Sequence, residues 1–185
     1  SWLHNDGTTK ENISLSYSSN NASATTASIG NTLNNAPTLT SSVEGLTFTY
    51  ESSDTNVAEV STEGIVTIKG VGTTVIKAIF AGNDTYNRAE ASYTLTVTEA
   101  TYEITILEPE NGQITVSATE ATANTTITIT ATPNDGYKLS AVSVKAGDTN
   151  IEVLGTGNAR TFTMPSQNVT VSATFAEIEN IEETI

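Results

Sequence analysis

The chain is 185 residues long, has no cysteine and carries a formal net charge of −14. Without cysteine it has no disulfide staples, thiolate metal ligands or cysteine nucleophiles, without a basic stretch it has no footprint for nucleic-acid phosphates, and without an apolar run of about 18 residues it has no membrane-spanning helix. The acidity is spread evenly, with seven acids and three bases in residues 12–98, the same in residues 100–176 and four glutamates in residues 177–185, which reads as solubility rather than as a site.

Thr, Ser and Asn are abundant and charged residues make up only 15%. Thr favours strands and Asn favours turns, so this is the composition of an extracellular β protein rather than of a cytoplasmic enzyme. Residues 1–11 show no strand pattern and read as a linker or a remnant of an upstream domain. The chain starts at Ser1 rather than Met and displays no signal peptide, so it is expected to be a processed or excised fragment whose targeting signal lies elsewhere.

From residue 12 onward, period-2 alternation dominates. Leu46, Phe48 and Tyr50 point one way and Thr47, Thr49 and Glu51 the other, which predicts a half-buried strand with Tyr50 in the core. Ser52, Ser53 or Asp54 is placed to cap a single helical turn through Val57. Val66 and Ile68 alternate with Thr67 and Lys69, and Leu95 and Val97 alternate with Thr94 and Thr96. The connection Thr98–Thr101 is short enough to limit motion between the two halves. A second group of strands begins at Tyr102 and includes Ile127, Ile129 and Ala131, then Val169, Val171, Ala173 and Phe175, each alternating with Thr or Ser.

Turn signals separate these runs: Glu63-Gly64, Gly70-Val71-Gly72, Gly82-Asn83-Asp84, Asn111-Gly112, Asn134-Asp135-Gly136, Gly147-Asp148 and Gly155-Thr156-Gly157. Short strands at this spacing predict sandwiches or small barrels. Only Ala176–Ile185, with Ile178, Ile181 and Ile185, offers a short helix, and it reads equally well as an acidic linker.

Few residues suggest chemistry. The only histidine is His4, in the patternless N-terminus, with no second catalytic partner near it, and a solvated terminal histidine is the simpler account. Glu108 and Glu110 form a carboxylate pair of the kind glycosidases use, yet they flank what reads as a hairpin turn. Asp84 with Asn83, Asp135 with Asn134, and Asp148 with Asn150 are oxygen-rich enough for calcium but lack EF-hand spacing, and Asx residues recur in turns for backbone reasons alone. Tyr86, Tyr137 and Trp2 are the candidate platforms for a sugar. Five Asn-x-Ser/Thr sequons, at Asn12, Asn21, Asn83, Asn124 and Asn168, are about as many as chance predicts at this Ser and Thr content.

Residues 12–98 resemble the bacterial Ig-like group 2 domain of intimin- and invasin-type adhesins. The resemblance is carried by Leu46–Asp54, by Val57-Ala58-Glu59-Val60, by Gly64–Ile68 and by Gly72–Ala78. It places Tyr50 where that family usually has a core Trp. It also gives Thr74–Phe80 an inward phase of Ile76, Ala78 and Phe80, leaving Val75, Lys77 and Ile79 outside, where two apolar side chains beside a lysine stem suggest a covered face. Residues 102–176 resemble the divergent B-repeat of internalin-like surface proteins, through Gly112–Val116, Ile127–Pro133, Asp135–Leu139 and Phe162–Val171.

The expected architecture is therefore all-β, an N-terminal Ig-like β-sandwich (12–98), a short linker (99–101), a small antiparallel β domain of sandwich or β-grasp-like form (102–176) and an acidic tail or linker (177–185). The resemblances imply spacers, stalks and interaction modules and supply no transferable catalytic, cofactor or metal residues. The expected function is a non-catalytic structural or adhesive module of a bacterial cell-surface or secreted multidomain protein. The alternatives are a module binding a surface glycan or host protein, and an accessory region of a secreted enzyme. Neighbouring domains of a longer chain are the expected contacts, with no nucleic acid and no membrane insertion, and the location is extracellular or cell surface.

Overall fold

A computed structural model describes residues 9–180. Among these residues the regular structure is sixteen β-strands and a single 3-10 turn at Thr26–Ser28. The chain divides after Glu99 into two compact units.

The first unit holds β1 (Leu15–Tyr17), β2 (Asn21–Thr25), β3 (Leu39–Ser41), β4 (Thr49–Ser52), β5 (Ala58–Val60), β6 (Val66–Ile68), β7 (Gly72–Phe80) and β8 (Ala89–Thr98). One sheet has the order β2-β8-β7-β4, with β2 parallel to β8 and the other pairs antiparallel. Opposite it lie the pairs β1-β3 and β5-β6, and residues 30–33 dock on β6 through Leu33 N–H to Val66 O (2.8 Å) and Ile68 N–H to Asn31 O (3.0 Å). Alternation places Ile76, Tyr93, Leu95 and Val97 inward from the four-stranded sheet, where they meet Leu33, Val57, Ala58, Val66 and Ile68. This is a sandwich with a continuous apolar core, and each fully buried aliphatic side chain contributes about 1.5–3 kcal/mol.

The N-terminal edge is tied earlier than a bare linker would be. Glu11 N–H donates to Thr85 O (2.9 Å), Asn87 N–H to Glu11 O (2.8 Å), and Asn87 Nδ2 to Asn12 Oδ1 (2.9 Å). Among the described residues, backbone pairing is present from Glu11 onward.

One aromatic pair lies in the core. Tyr17 and Tyr93 meet edge to face, with ring centroids 4.8 Å apart and planes at 83°. Burial pushes the Tyr93 phenol up to about 12, and burial, then the neighbouring Tyr93 and Tyr50, push Tyr17 up to about 12. The phenols ionise near 10 when unfolded, so folding favours their protonated forms. The resulting stability is complete below pH 10 and is lost as pH rises through about 12. A denaturant-midpoint series across this window is expected to fall steeply for the first unit, and Tyr17→Phe is expected to flatten it.

The second unit holds β9 (Thr101–Ile106), β10 (Gly112–Val116), β11 (Glu120–Thr122), β12 (Thr126–Pro133), β13 (Tyr137–Ala146), β14 (Thr149–Ile151), β15 (Ala159–Thr163) and β16 (Val169–Glu177). A three-stranded sheet β10-β12-β15 and a five-stranded sheet β11-β9-β16-β13-β14 bury one core between them. All pairs are antiparallel except β16 with β9. This is the sandwich form; the β-grasp-like alternative has no helix to hold among the described residues.

The motifs behind the B-repeat resemblance are occupied by packing. Ile127, Ile129 and Ala131 of β12 are buried, as are Phe162 and Met164. Met164 N–H donates to Thr125 O (2.8 Å), and Asn168 Oδ1 accepts the Glu103 N–H (2.9 Å), which ties the β15–β16 loop to β9. A bulge between Leu139 and Ala141 shifts the phase of β13, so that Leu139 and then Val142 and Val144 pack on the core. The strand β16 continues through Glu177 and Ile178 N–H bonds to Gly136 O (2.8 Å), so residues 176–178 extend a sheet and do not start a helix. Ile181 and Ile185 lie outside the described residues.

Candidate functional site

Among the described residues, those singled out for chemistry do not converge. His4 and Trp2 lie outside the described residues. Glu108 and Glu110 are exposed on the connection from β9 to β10. Those strands belong to different sheets, so Asn111-Gly112 turns the chain from one sheet to the other and is not a hairpin. Asn83 Oδ1 accepts the N–H groups of Thr85 (2.9 Å) and Tyr86 (2.7 Å), a backbone task of the kind Asx residues perform in turns. Asp148 sits in the turn joining β13 to β14, and Asp135 in the turn before β13. Among the described residues no three His, Asp or Glu side chains gather as a metal-ligand set. Tyr86 and Tyr137 are half-buried, with Tyr86 bridged to Glu11 and Tyr137 opposite Glu177.

The outer face of the four-stranded sheet carries charge. Lys77 Nζ lies 3.8 Å from Glu51 and 3.6 Å from Glu90, and Arg88 donates to Glu90 at 2.9 Å. The Arg88 hydrogen bond, and then the Lys77 ammonium, hold the Glu90 carboxyl below the ordinary range. Ile76, Ala78 and Phe80 are buried, matching the expected phase of β7. Val75 and Ile79 are both half-buried on the opposite side of β7. Val75 borders Glu51, Ser53 and Lys77, Ile79 borders Leu46 and Phe80, and Lys77 with its glutamates lies between them.

Around β4 the geometry is more specific. Thr74 is fully buried, and its hydroxyl meets Ser52 Oγ (2.8 Å), Ser53 Oγ (3.2 Å) and the Asp54 N–H (2.9 Å). Asp54 Oδ1 in turn accepts the Asn56 N–H at 2.9 Å, and Asp54 O accepts Val57 N–H, closing the expected single turn. Replacing Thr74 by Val keeps the shape but leaves the Asp54 N–H and two hydroxyls without their hub. The expected loss is about 1–3 kcal/mol, read as a shift of denaturant midpoint with unchanged slope.

Tyr50 points inward, as its phase predicts, but it is half-buried rather than part of the buried core. The reason is topological. β4 is the edge of its sheet, so no further strand closes over the ring, and a full-burial cost of about 3–5 kcal/mol for its removal does not apply. Tyr93 and Phe80 are the buried aromatics among the described residues of this unit. The Tyr50 ring rests on Gly64, whose φ of +84° and lack of Cβ admit it; a Cβ there would lie 2.8–3.2 Å from three ring carbons. Two adjoining depressions share Tyr50 and Val60. One, of about 300 Å³, adds Phe48 and Thr62, and the other, of about 380 Å³, adds Glu51, Thr55 and Glu59. Sequence patterning predicted an inward Tyr50 and had no means of showing that this ring would remain open at a sandwich edge.

Residues 34–82 match the family model of the intimin immunoglobulin-like domain, and residues 102–179 match that of the divergent InlB B-repeat domain. The order is intimin-type immunoglobulin-like domain first, divergent B-repeat second. No curated protein matches the chain. Among solved structures it is similar to protocadherin gamma B7 extracellular cadherin domains 1–4, at 11% identity and a TM-score of 0.33 over 91% of this chain and 50% of that one. It is also similar to a SusE-like surface located polysaccharide binding protein from the heparin utilisation locus of Bacteroides thetaiotaomicron, at 13% identity and a TM-score of 0.31 over 88% and 33% of the two chains. A titin I-band fragment matches at 8% identity and a TM-score of 0.30 over 90% and 64%. The chain spans half, a third and under two thirds of these proteins respectively. In the immunoglobulin-like unit the matched segment runs from before β3 to just past β7 and contains the Thr74 hub and the Tyr50 depressions. In the B-repeat unit it spans every strand but the first residue of β9. Both matched families are immunoglobulin-like or repeat types rather than catalytic ones, and no helix among the described residues is long and apolar enough to cross a membrane.

Proposed function

We propose that the chain is a non-catalytic structural and adhesive segment of a longer bacterial cell-surface or secreted protein. The observation that supports this reading is the direct succession of the two family matches, in which β8 of the immunoglobulin-like unit ends at Thr98 and β9 of the B-repeat unit starts at Thr101. The side chains that carry the motifs in both units are occupied by packing and turn formation: Thr74 and Asp54 in the first, Phe162, Met164 and Asn168 in the second. An extracellular location agrees with a net charge of −14 and a cysteine-free, Thr-rich composition.

The test uses the full-length protein in its producing cells. Antibodies raised against this segment are expected to label intact, unpermeabilised cells or to find the protein in the culture medium. Labelling that requires permeabilisation, with nothing in the medium, overturns the reading.

A further inference from the structure

The geometry points to a binding site for a short neutral oligosaccharide at the β4 edge of the first unit, centred on Tyr50. A sugar is amphipathic: one face of the ring is C–H and the rim is hydroxyl. Its binding sites therefore combine an aromatic surface with side chains that both donate and accept hydrogen bonds. The β4 edge supplies both. Phe48 and Tyr50 are half-buried beside Val60, forming the apolar part. The hydroxyls of Thr55 and Thr62, with the carboxylates of Glu51 and Glu59, form the rim. Among the described residues no hydrogen bond is made by the hydroxyls of Tyr50, Thr55 or Thr62.

The platform is also held in place before any ligand arrives. Contact with Gly64 restricts the Tyr50 ring, so little side-chain freedom remains to be lost on binding. Two adjoining depressions that share Tyr50 and Val60 favour a ligand of more than one sugar unit, and their sizes of about 300 and 380 Å³ fall at the small end of the range for ligand sites.

Charge selects among ligands. Glu51 lies 3.8 Å from Lys77 and Glu59 lies 3.6 Å from Lys69, so each carboxylate has one partner and its other oxygen positions remain open to sugar hydroxyls. The rim is acidic on a chain of net charge −14, which disfavours sulfated or uronic glycans and a second copy of this chain. An extended peptide added to the edge is the competing occupant, but β4 spans only Thr49–Ser52 and presents little backbone for a strand to grip.

The experiment titrates the full chain with cellohexaose, xylohexaose, mannohexaose and laminarihexaose at millimolar concentration, following amide NMR shifts. Saturable binding to at least one of them is expected, with shifts concentrated on residues 48–62. Tyr50→Leu retains apolar bulk over Gly64, and Thr62→Arg obstructs the rim from an exposed position. Each is expected to weaken binding at least about tenfold while the thermal midpoint confirms a folded chain. Tyr86→Ala and Tyr137→Ala, at the other half-buried tyrosines, are expected to leave it unchanged. The proposal is overturned if none of the four sugars binds, if binding survives both groove variants, or if a basic extended peptide, and no sugar, shifts the same residues.

Discussion

Phe162→Ala is expected to remove a large share of the stability of the second unit. Phe162 is 1% exposed and lies on β15 opposite Ile127, also 1% exposed, within a core that includes Ile129, Met164 and Val171. Truncating a buried Phe to Ala costs about 3–5 kcal/mol, from lost transfer energy and from the cavity left behind. A unit of this size has a total stability of about 4–13 kcal/mol at the usual per-residue values, and the chain has no disulfide to limit the unfolded ensemble. β15 is an edge strand whose one full ladder is to β12, so the cavity opens where the sheet has least support. Amide NMR resolves the two units. Signals from residues 100–180 should lose dispersion or melt at much lower denaturant, while those of the first unit keep their midpoint. A loss below about 1 kcal/mol would falsify the assignment of Phe162 as the central side chain of this core.

Gly112→Ala should be the most damaging single-methyl change in the second unit. Gly112 is buried at the start of β10, and a Cβ built on it lies 2.6–2.7 Å from three carbons of the Phe175 ring. Gly112 pairs with Pro133 at the end of the β10–β12 ladder, and that pairing resists withdrawal of its backbone from the ring. Forcing an extra carbon into such a contact costs about 1–3 kcal/mol. The backbone at Gly112 is not in the left-handed region, so this cost comes from the ring and not from φ. The double variant Gly112→Ala/Phe175→Leu distinguishes the two origins. If the ring is the cause, the double variant is more stable than the sum of the single losses predicts, by about 0.5–3 kcal/mol. Strict additivity in a denaturant-melt cycle would place the cost in the backbone.

Much of this fold was legible because half-buried sheets write themselves as period-2 patterns. Val66 and Ile68, Leu95 and Val97, and Ile127, Ile129 and Ala131 are all buried as alternation required. The turn signals also correspond to real reversals: Gly64, Gly82, Gly136, Gly147, Gly155 and Gly157 all have positive φ, as does Asn111. Alternation is a local property, set by the geometry of successive residues on one strand, and so it survives without knowledge of the partner.

Pairing is not local, and there the sequence was silent. Nothing in Asn21–Thr25 or Val169–Val171 marks them as halves of the two parallel pairs, with β8 and with β9. Asn111-Gly112 looked like a hairpin because hairpins and sheet-to-sheet crossings use the same left-handed residues. The bulge at Leu139/Ala141 reverses the facing pattern within one strand, and only the partner strand reveals it. The same limit governs the candidate site. The inward phase of Tyr50 was readable from Leu46, Phe48 and Tyr50 alone. Whether that inward side met a closed core or an open margin depended on the position of β4 in the sheet order, and that order is decided by which distant strands pack together. The sequence by itself determined which side chains face in and where the chain turns. The tertiary structure decided which strand lies at an edge, and so which inward aromatic ring remains available to a ligand.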